Sequence, residues 1–121
     1  MGAHFLTKNI DEKGQWLNLM KQKNHSSDVS PTGSQMPRLV GLAYASKIYR
    51  KLNIKKSNYF TNDGNEIAWG TIGNASTSEG MFYEAINAAG VLQIPMITSV
   101  WDDEYGISVS NELQTTKSKI K

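Results

Sequence analysis

Residues 66–79 read Glu-Ile-Ala-Trp-Gly-Thr-Ile-Gly-Asn-Ala-Ser-Thr-Ser-Glu, and this stretch decides the fold. Its first part, residues 66–72, is short and apolar and follows a group of turn-forming residues, which predicts a buried strand. The Gly-Asn pair after it ends that strand. Ser76 and Glu79 have the spacing of a capping box, so a helix is predicted to begin at Ser76.

A second strand is predicted beyond that helix. The apolar face of the helix consists of Phe82, Ala85, Ala89 and Leu92. Pro95 cannot continue the helix, and residues 96–101 are apolar and β-branched, which is typical of a buried strand. Strand, helix and strand in this order form a βαβ unit, with parallel strands and a right-handed crossover. The sequence therefore predicts an α/β fold.

Two helices and a loop are predicted before this unit. Apolar residues in a stretch rich in Lys and Gln indicate a helix within residues 5–24, although Gly14 weakens it. Residues 25–35 are rich in turn formers and predict a loop. The second helix has Pro37 in its first turn and basic residues in its last. Its apolar positions are Leu39, Val40, Leu42, Ala43 and Ile48.

Composition bounds the class of protein. The chain has 121 residues, 39% of them hydrophobic, which predicts one domain with a core of its own. It has no cysteine, which excludes a disulfide framework, a thiolate metal site and a cysteine nucleophile. No apolar run approaches the ~20 residues of a membrane span, and no signal peptide is recognisable. No membrane partner is therefore expected.

Charge is distributed unevenly along the chain. Residues 1–60 hold ten Lys and Arg against three acids, whereas residues 61–121 hold three Lys against eight acids. The basic half suits a polyanion, but solvated helix faces are the more ordinary explanation. Because no basic motif interleaved with aromatic residues is present, no nucleic-acid partner is expected.

Polar residues follow both predicted strands. Asn74 comes after the first strand, and the acidic run of residues 102–104 comes after the second. The carboxyl ends of parallel strands lie at one edge of a sheet, where α/β proteins bind ligands. An amide, carboxylates and a helix N-terminus suit Mg²⁺ bound to a diphosphate. The alternative is that Asn74 only permits a turn and that the acidic run is a solvated loop.

Three blocks of sequence resemble the α-type part of thiamine-diphosphate-dependent 2-oxo acid dehydrogenase E1 components. Residues 73–80 are similar to the family's Gly-Asp-Gly-Ala-x-Ser-Glu-Gly, and residues 102–108 to its Asn-Asn-x-Tyr-Ala-Ile-Ser. Residues 30–41 resemble the Ser-Pro-Leu-Ala-Thr-Gln-x-Pro-x-Ala-Val-Gly segment of the branched-chain (2-oxoisovalerate) type. The likeness covers about residues 25–110. It implies an incomplete three-layer α/β/α fold with a mostly parallel sheet, as a single partial domain over residues 1–121 and a fragment of a longer polypeptide.

The resemblance implies thiamine diphosphate and Mg²⁺ as cofactors. Asn74 and Asp103 take the positions of the two side chains that bind Mg²⁺, with amide and carboxylate exchanged, and the Tyr105 carbonyl supplies a third ligand. The residues implied to bind the cofactor are Ser30, Thr32, Gly73, Asn74, Ala75, Ser76 and Asp103. Ala75 replaces a family glycine and would be strained if its backbone required a positive φ.

Further positions carry over from the same family. Those that match a monovalent-cation site of branched-chain relatives are Pro31, Ser34 and Gln35. Glu84 matches a glutamate in an acidic, water-filled path between two active sites, and the alternative is a surface or interface glutamate. Trp101 stands where relatives often carry a basic or polar residue. Arg38 and Arg50 are not placed to balance the diphosphate, so Mg²⁺, the helix N-terminus or residues outside this chain are expected to do so.

The implied activity is that of an E1 component, which decarboxylates a branched-chain 2-oxo acid oxidatively and passes the acyl group to lipoyl-E2. No catalytic residue is expected in this chain, because in this family the activating glutamate comes from the β-type half. The chain alone is therefore expected to be inactive.

The implied partners are the β-type E1 half, in the same polypeptide or as a separate subunit, a second E1 protomer and lipoyl-E2. The expected location is the cytoplasm, or the mitochondrial matrix in a eukaryote. Two alternatives stay open. They are a non-catalytic scaffold with a decayed site, and another thiamine-diphosphate enzyme such as a transketolase-like protein.

Overall fold

A computed structural model of the chain describes residues 8–26, 30–52, 54 and 57–117. Their helices and strands are α1 (Gln35–Lys51), β1 (Ala68–Gly73), α2 (Gly80–Leu92), β2 (Met96–Trp101), β3 (Tyr105–Gly106), β4 (Val109–Ser110) and α3 (Asn111–Gln114). Short 3-10 turns occupy Leu19–Lys21, Ser57–Tyr59 and Ala75–Ser78. No helix within these ranges has both the length and the apolar character needed to cross a membrane.

Strands β1 and β2 pair in parallel, which confirms the predicted βαβ unit. Their register runs from Ala68 opposite Met96 to Gly73 opposite Trp101, so both strands end at the same level. The backbone N–H of Asn74 continues the ladder by donating to the Trp101 carbonyl at 3.0 Å. Strand β2 has the predicted bounds, and β1 lies within one or two residues of its prediction.

Both long helices cover one face of this sheet. The core consists of Met36, Ile72, Phe82 and Ala85, from α1, β1 and α2. Helix α1 lies so close to β1 that a Cβ built on Gly70 would come within 2.8 Å of Leu39 Cδ2. A larger residue at position 70 would therefore require the Leu39 side chain to shift.

The opposite face of the sheet is open. Trp69, Ile97 and Trp101 project from it with exposed fractions of 72%, 48% and 70%. These three residues are called the open sheet face below. The described residues thus form a sheet and one helical layer, which confirms the predicted incomplete α/β fold.

The helix faces follow the apolar pattern with one exception. In α2 the predicted residues are buried (Phe82, Ala85) or half-buried (Ala89, Leu92). In α1, Leu39 and Ala43 are buried, whereas Leu42, another of its apolar positions, is 45% exposed. Pro37 lies in the first turn of α1, as predicted.

Of the helix predicted within residues 5–24, only a 3-10 turn at Leu19–Lys21 forms in residues 8–24, and residues 5–7 lie outside the described ranges. A tight turn replaces it, with Gly14 at φ +74. The Asp11 carboxylate accepts the backbone N–H groups of Lys13 and Gln15, each at 2.8 Å. Local bonds of this kind offer the backbone an alternative to the helix. Trp16 then packs edge-on against Phe60, with 5.3 Å between ring centroids.

The predicted capping box is also wrong. Ser76 lies inside a separate 3-10 turn, and α2 begins only at Gly80. The residues at the N-cap positions of the turn and of α2, Asn74 and Glu79, make no side-chain capping bond. Thr77 is the inward-facing residue of that turn, only 1% exposed, and its hydroxyl donates to the Asn74 carbonyl at 2.5 Å. The buried threonine therefore favours a short turn over an early start of the helix.

The turn before β1 is pressed against α1. A Cβ built on Gly64 would come within 2.4 Å of the Ser46 carbonyl oxygen and 2.6 Å of the Arg50 nitrogen, and its φ is +72. The Arg50 guanidinium donates to the Gly64 carbonyl at 2.7 Å. Only glycine combines this backbone conformation with this distance.

Glu66 closes the same turn. Its carboxylate accepts the Thr61 hydroxyl at 2.6 Å and also the Asn62 backbone N–H. Partial burial raises the pKa of Glu66, but these hydrogen bonds and the Arg50 charge outweigh that effect, so the pKa lies below its ordinary value. The ionised carboxylate is therefore the form that stabilises the turn.

Candidate functional site

A cavity of about 750 Å³ opens where β1 and β2 end. Its lining includes the predicted site residues Thr32, Gly73, Asn74, Ala75, Ser76, Asp103 and Tyr105. Trp101, Asp102, Glu79 and Gln114 line it as well. The structure therefore brings two of the three motif blocks together at one end of the sheet and adds Thr32 from the third.

Asn74 lies at the centre of this arrangement, with 6% of its surface exposed. Its Nδ2 donates to the Tyr105 carbonyl at 3.1 Å and to Asn111 Oδ1 at 2.7 Å. A side chain at the end of β1 thus contacts the loop that follows β2. Two residues separated by 31 positions are held within one hydrogen bond of each other.

The acidic run after β2 has defined hydrogen bonds. Asp102 Oδ1 accepts the Glu104 N–H at 2.9 Å and Asn111 Nδ2 at 3.0 Å. Asp103 Oδ1 accepts the Tyr105 N–H at 3.2 Å. Glu104 has a φ of +69, which turns the chain sharply at this point. Both aspartates therefore fix the loop backbone, although their side chains are exposed.

The backbone at the end of β1 leaves room for a ligand. A Cβ built on Gly73 would meet no atom within 4 Å, so this residue faces open space. Ala75 begins the 3-10 turn and is not among the residues with positive φ, so no strain arises there. The first N–H groups of such a turn, at Ala75 and Ser76, have no partner within it.

The cavity is acidic. Glu79, Asp102 and Asp103 contribute carboxylates, and none of the described lining residues is Lys or Arg. The Arg50 guanidinium donates to the Gly64 carbonyl, and Arg38 lines a different cavity between α1 and β1. A diphosphate placed here would face like charges, so it would need a cation beside it.

The oxygen donors present suit a hard cation. Asn74 offers an amide oxygen, Asp103 a carboxylate and Tyr105 a backbone carbonyl, which are the ligand types that Mg²⁺ takes together with phosphate and water. Across the described ranges no group of three or more His, Cys, Asp or Glu side chains is arranged for a metal. A metal site here would therefore depend on amide and carbonyl oxygens as well as a carboxylate.

The rest of the Ser-Pro block is placed less centrally. Ser30, Pro31, Ser34 and Gln35 do not line the cavity. The Ser34 N–H donates to the Pro31 carbonyl at 3.1 Å, and Gln35 Nε2 donates to the Thr71 carbonyl at 3.2 Å. The Gln35 bond fastens the start of α1 to β1, and the Ser34 bond closes the turn before it.

Glu84 lies exposed on α2. It is not among the residues that line the cavity.

Two residues at this end of the sheet have no signal in the sequence. Asn111 is 9% exposed and bonds to both Asn74 and Asp102. Gln114 lines the cavity and donates to the Val109 carbonyl at 2.9 Å. The hairpin of β3 and β4 brings both back to the strand ends. The hairpin turns at Ile107, whose φ is +59. A β-branched residue rarely adopts a positive φ, so the sequence does not predict a turn at this position.

Fold and cavity together define an α/β protein with a polar site at the carboxyl ends of parallel strands. The chain matches the family described as "Dehydrogenase E1 component" over residues 3–121 and belongs to it. The resemblance drawn from the three sequence blocks is thus confirmed.

Curated relatives agree with this assignment. The chain is 30% identical over 91 residues to "2-oxoisovalerate dehydrogenase subunit alpha" of Bacillus subtilis (strain 168), which covers 75% of this chain and 24% of the relative. It is 32% identical over 94 residues to the mitochondrial subunit of that name from Caenorhabditis elegans, covering 78% and 19%. It is 36% identical over 76 residues to "Pyruvate dehydrogenase E1 component subunit alpha" of Acholeplasma laidlawii, covering 63% and 18%. The chain therefore spans a quarter or less of the length of these relatives.

Proposed function

We propose that the chain forms the diphosphate-binding side of the thiamine diphosphate site in a 2-oxo acid dehydrogenase E1 component. The observation that carries this proposal is the hydrogen bond from Asn74 to the Tyr105 carbonyl at 3.1 Å. It joins the two loops whose sequences resemble the cofactor motifs of the family, at the end of a parallel sheet where α/β proteins bind ligands. Membership of the E1 family supports the choice of cofactor.

The chain would hold the diphosphate through a bound Mg²⁺. Asn74 Oδ1, the Asp103 carboxylate and the Tyr105 carbonyl would supply the protein ligands. The acidity of the cavity supports a cation, because the carboxylates that surround a diphosphate there would otherwise repel it. Backbone N–H groups at Ala75 and Ser76 would donate to phosphate oxygens beside the open position at Gly73.

When bound, thiamine diphosphate supplies the nucleophilic carbon for decarboxylation of a 2-oxo acid. The residues of this chain would bind and orient its diphosphate end, and the activating glutamate would come from a β-type half. Two of the three relatives are named as 2-oxoisovalerate dehydrogenase subunits, which favours a branched-chain substrate over pyruvate. Transfer of the acyl group to lipoyl-E2 completes the proposed reaction.

Several predicted roles belong to this same proposal. Ser30 would lie along the cofactor, and Glu84 would form part of a proton path to a second protomer. A monovalent cation would be held by Pro31, Ser34 and Gln35. The fixed backbone at the start of α1 supports such a site, because the Gln35 bond to Thr71 holds this segment against the sheet.

A second candidate function is a non-catalytic scaffold of the same fold. One observation favours it. The Tyr105 carbonyl, one of the expected metal ligands, accepts a hydrogen bond from Asn74 Nδ2 and so has a partner without a cation. The two candidates differ in whether Mg²⁺ and thiamine diphosphate bind.

Calorimetric titration of thiamine diphosphate with Mg²⁺ separates the two candidates. The full polypeptide that carries this sequence is assembled with its β-type half and titrated as it is and with Asp103→Ala. We expect binding by the unaltered protein and a loss of about tenfold or more with Asp103→Ala, because a cation ligand is removed. Glu104→Gln is the matched control, since it removes a neighbouring exposed carboxylate that is not an expected ligand. Absence of binding by the unaltered assembly would favour the scaffold.

A further inference from the structure

Asn111 connects the two strand ends. It is the first residue of α3, only 9% exposed, and its amide has one partner on each side. Its Nδ2 donates to Asp102 Oδ1 at 3.0 Å, and its Oδ1 accepts Asn74 Nδ2 at 2.7 Å. Its backbone N–H donates to the Glu104 carbonyl at 2.9 Å, which fixes the position of the residue itself.

The two ends of this chain of hydrogen bonds determine how both amides are oriented. An ionised carboxylate and a backbone carbonyl accept hydrogen bonds but donate none. Asp102 therefore requires the NH₂ group of Asn111, which turns Asn111 Oδ1 towards Asn74. The Tyr105 carbonyl requires the NH₂ group of Asn74. Both ends give the same orientation, in which the Asn74 NH₂ group is occupied and its Oδ1 is left for a ligand.

We propose that Asn111 is a positioning residue of this site, which relays the charge of Asp102 to the amide of Asn74 and so keeps Asn74 Oδ1 available to a divalent cation. The inference rests on the proposed function, because it concerns the orientation of an expected cation ligand. Partners that orient metal ligands in this way typically contribute about ten- to a hundredfold to metal affinity.

The test uses Mn²⁺ as the probe and electron paramagnetic resonance to measure its dissociation constant in the assembled protein, with thiamine diphosphate present. Asn111→Leu has a similar volume and removes both side-chain bonds. We expect it to raise the dissociation constant about ten- to a hundredfold. The exchange variant Asn111→Asp with Asp102→Asn keeps the total charge and an acceptor facing Asn74 Nδ2, while the hydrogen bond between positions 102 and 111 reverses its direction. We expect it to restore an affinity close to that of the unaltered protein.

A structural control separates orientation from general loosening of this segment. The Thr115 hydroxyl donates to the Lys117 carbonyl at 2.7 Å and lies 3.3 Å from the Asn111 carbonyl, so Thr115→Val loosens the end of α3 without touching Asn74. We expect an unchanged Mn²⁺ dissociation constant for this variant. Equal affinity of the unaltered protein and Asn111→Leu would overturn the inference and leave the proposed function standing.

The remaining outcomes are also decisive. If Asn111→Leu does not fold by circular dichroism, the exchange variant decides alone, and a folded exchange variant with weakened Mn²⁺ binding overturns the inference. Failure of the unaltered protein to bind Mn²⁺ overturns the proposed function and the inference together.

Discussion

Gly106, in β3, lies close to the residues that follow β1. A Cβ built on Gly106 would come within 2.2 Å of Gln114 Nε2 and 2.6 Å of Ala75 Cβ. Ordinary carbon–carbon contacts are about 3.5–4.0 Å, so Gly106→Ala creates two overlaps. The φ of Gly106 is not positive, which leaves the overlaps as the cause of any effect.

The cost of Gly106→Ala follows from these two contacts. Gln114 can swing away, but it then gives up its bond to the Val109 carbonyl, which contributes about 0.5–1.5 kcal/mol. Ala75 Cβ is attached directly to the backbone and cannot rotate away, so overpacking adds about 1–3 kcal/mol. We expect Gly106→Ala to lower the free energy of unfolding by about 2–4 kcal/mol, measured by urea denaturation followed by circular dichroism.

A double-mutant cycle tests the reasoning. Ala75→Gly removes the 2.6 Å overlap and by itself costs at most about 1 kcal/mol of backbone entropy. The double variant should therefore be more stable than the sum of the single effects by about 1–2 kcal/mol. Gly73→Ala, which meets no atom within 4 Å, is the control and should change stability by less than about 0.5 kcal/mol. Additive effects, or a harmless Gly106→Ala, would refute the steric account.

Three further predictions concern other parts of the chain. Gly64→Ala should lower the free energy of unfolding, measured by urea denaturation, by about 2–4 kcal/mol, because position 64 combines a φ of +72 with a 2.4 Å overlap. The control Gly41→Ala, on the exposed side of α1, should raise it by about 0.5–1 kcal/mol, and equal effects of the two variants would contradict the role of the turn. The lowered pKa of Glu66 predicts stability that is present above its ordinary pKa of 4.5 and is lost as pH falls through its folded value; Glu66→Gln should flatten this part of the pH profile, and an unchanged profile would argue against it. Asn74→Asp places a carboxylate against the Tyr105 carbonyl and Asn111 Oδ1, so without divalent cations it should lower the free energy of unfolding by about 1–3 kcal/mol. Mg²⁺ should raise the thermal midpoint of this variant more than that of the unaltered protein, and a midpoint insensitive to Mg²⁺ would remove Asn74 from the ligand set.

The parts of the fold that follow from the sequence are those with strong local boundaries. Strand β2 lies between Pro95 and the acidic run, and its apolar residues leave one interpretation, so its bounds are predicted correctly. The apolar face of α2 follows from helical spacing, because Phe82 and Ala85 have no alternative but the core. The position of the cavity follows from the rule on strand ends once both strands are correct.

Other features depend on contacts that a sequence pattern does not contain. The stretch before α1 has apolar residues at helical spacing, but the Asp11 side chain and Gly14 favour a turn, and Trp16 finds its partner in Phe60. Before α2, Ser76 and Glu79 have capping-box spacing, but Thr77 is buried and Ser76 lies with it in a separate 3-10 turn. Asn111 enters the site because two residues with positive φ, Glu104 and Ile107, fold the chain back.

Two departures from the E1 sequence pattern, at positions 75 and 106, have a steric explanation. That pattern has glycine at position 75 and alanine at position 106, whereas this chain has Ala75 and Gly106. Methyl groups at both positions would lie 2.6 Å apart unless one of the loops shifted. Two substitutions that look like independent losses are therefore sterically coupled across the two loops.

The open sheet face has a practical consequence for optical measurements. The chain contains three tryptophans, and all three are largely exposed, at 60%, 72% and 70% for Trp16, Trp69 and Trp101. Indoles in water emit at longer wavelengths than buried ones. Any subunit or further layer that covers the open sheet face will therefore shift the emission of Trp69 and Trp101 to the blue, while Trp16 serves as an internal reference. Assembly of this protein can thus be followed by its own fluorescence, without a label.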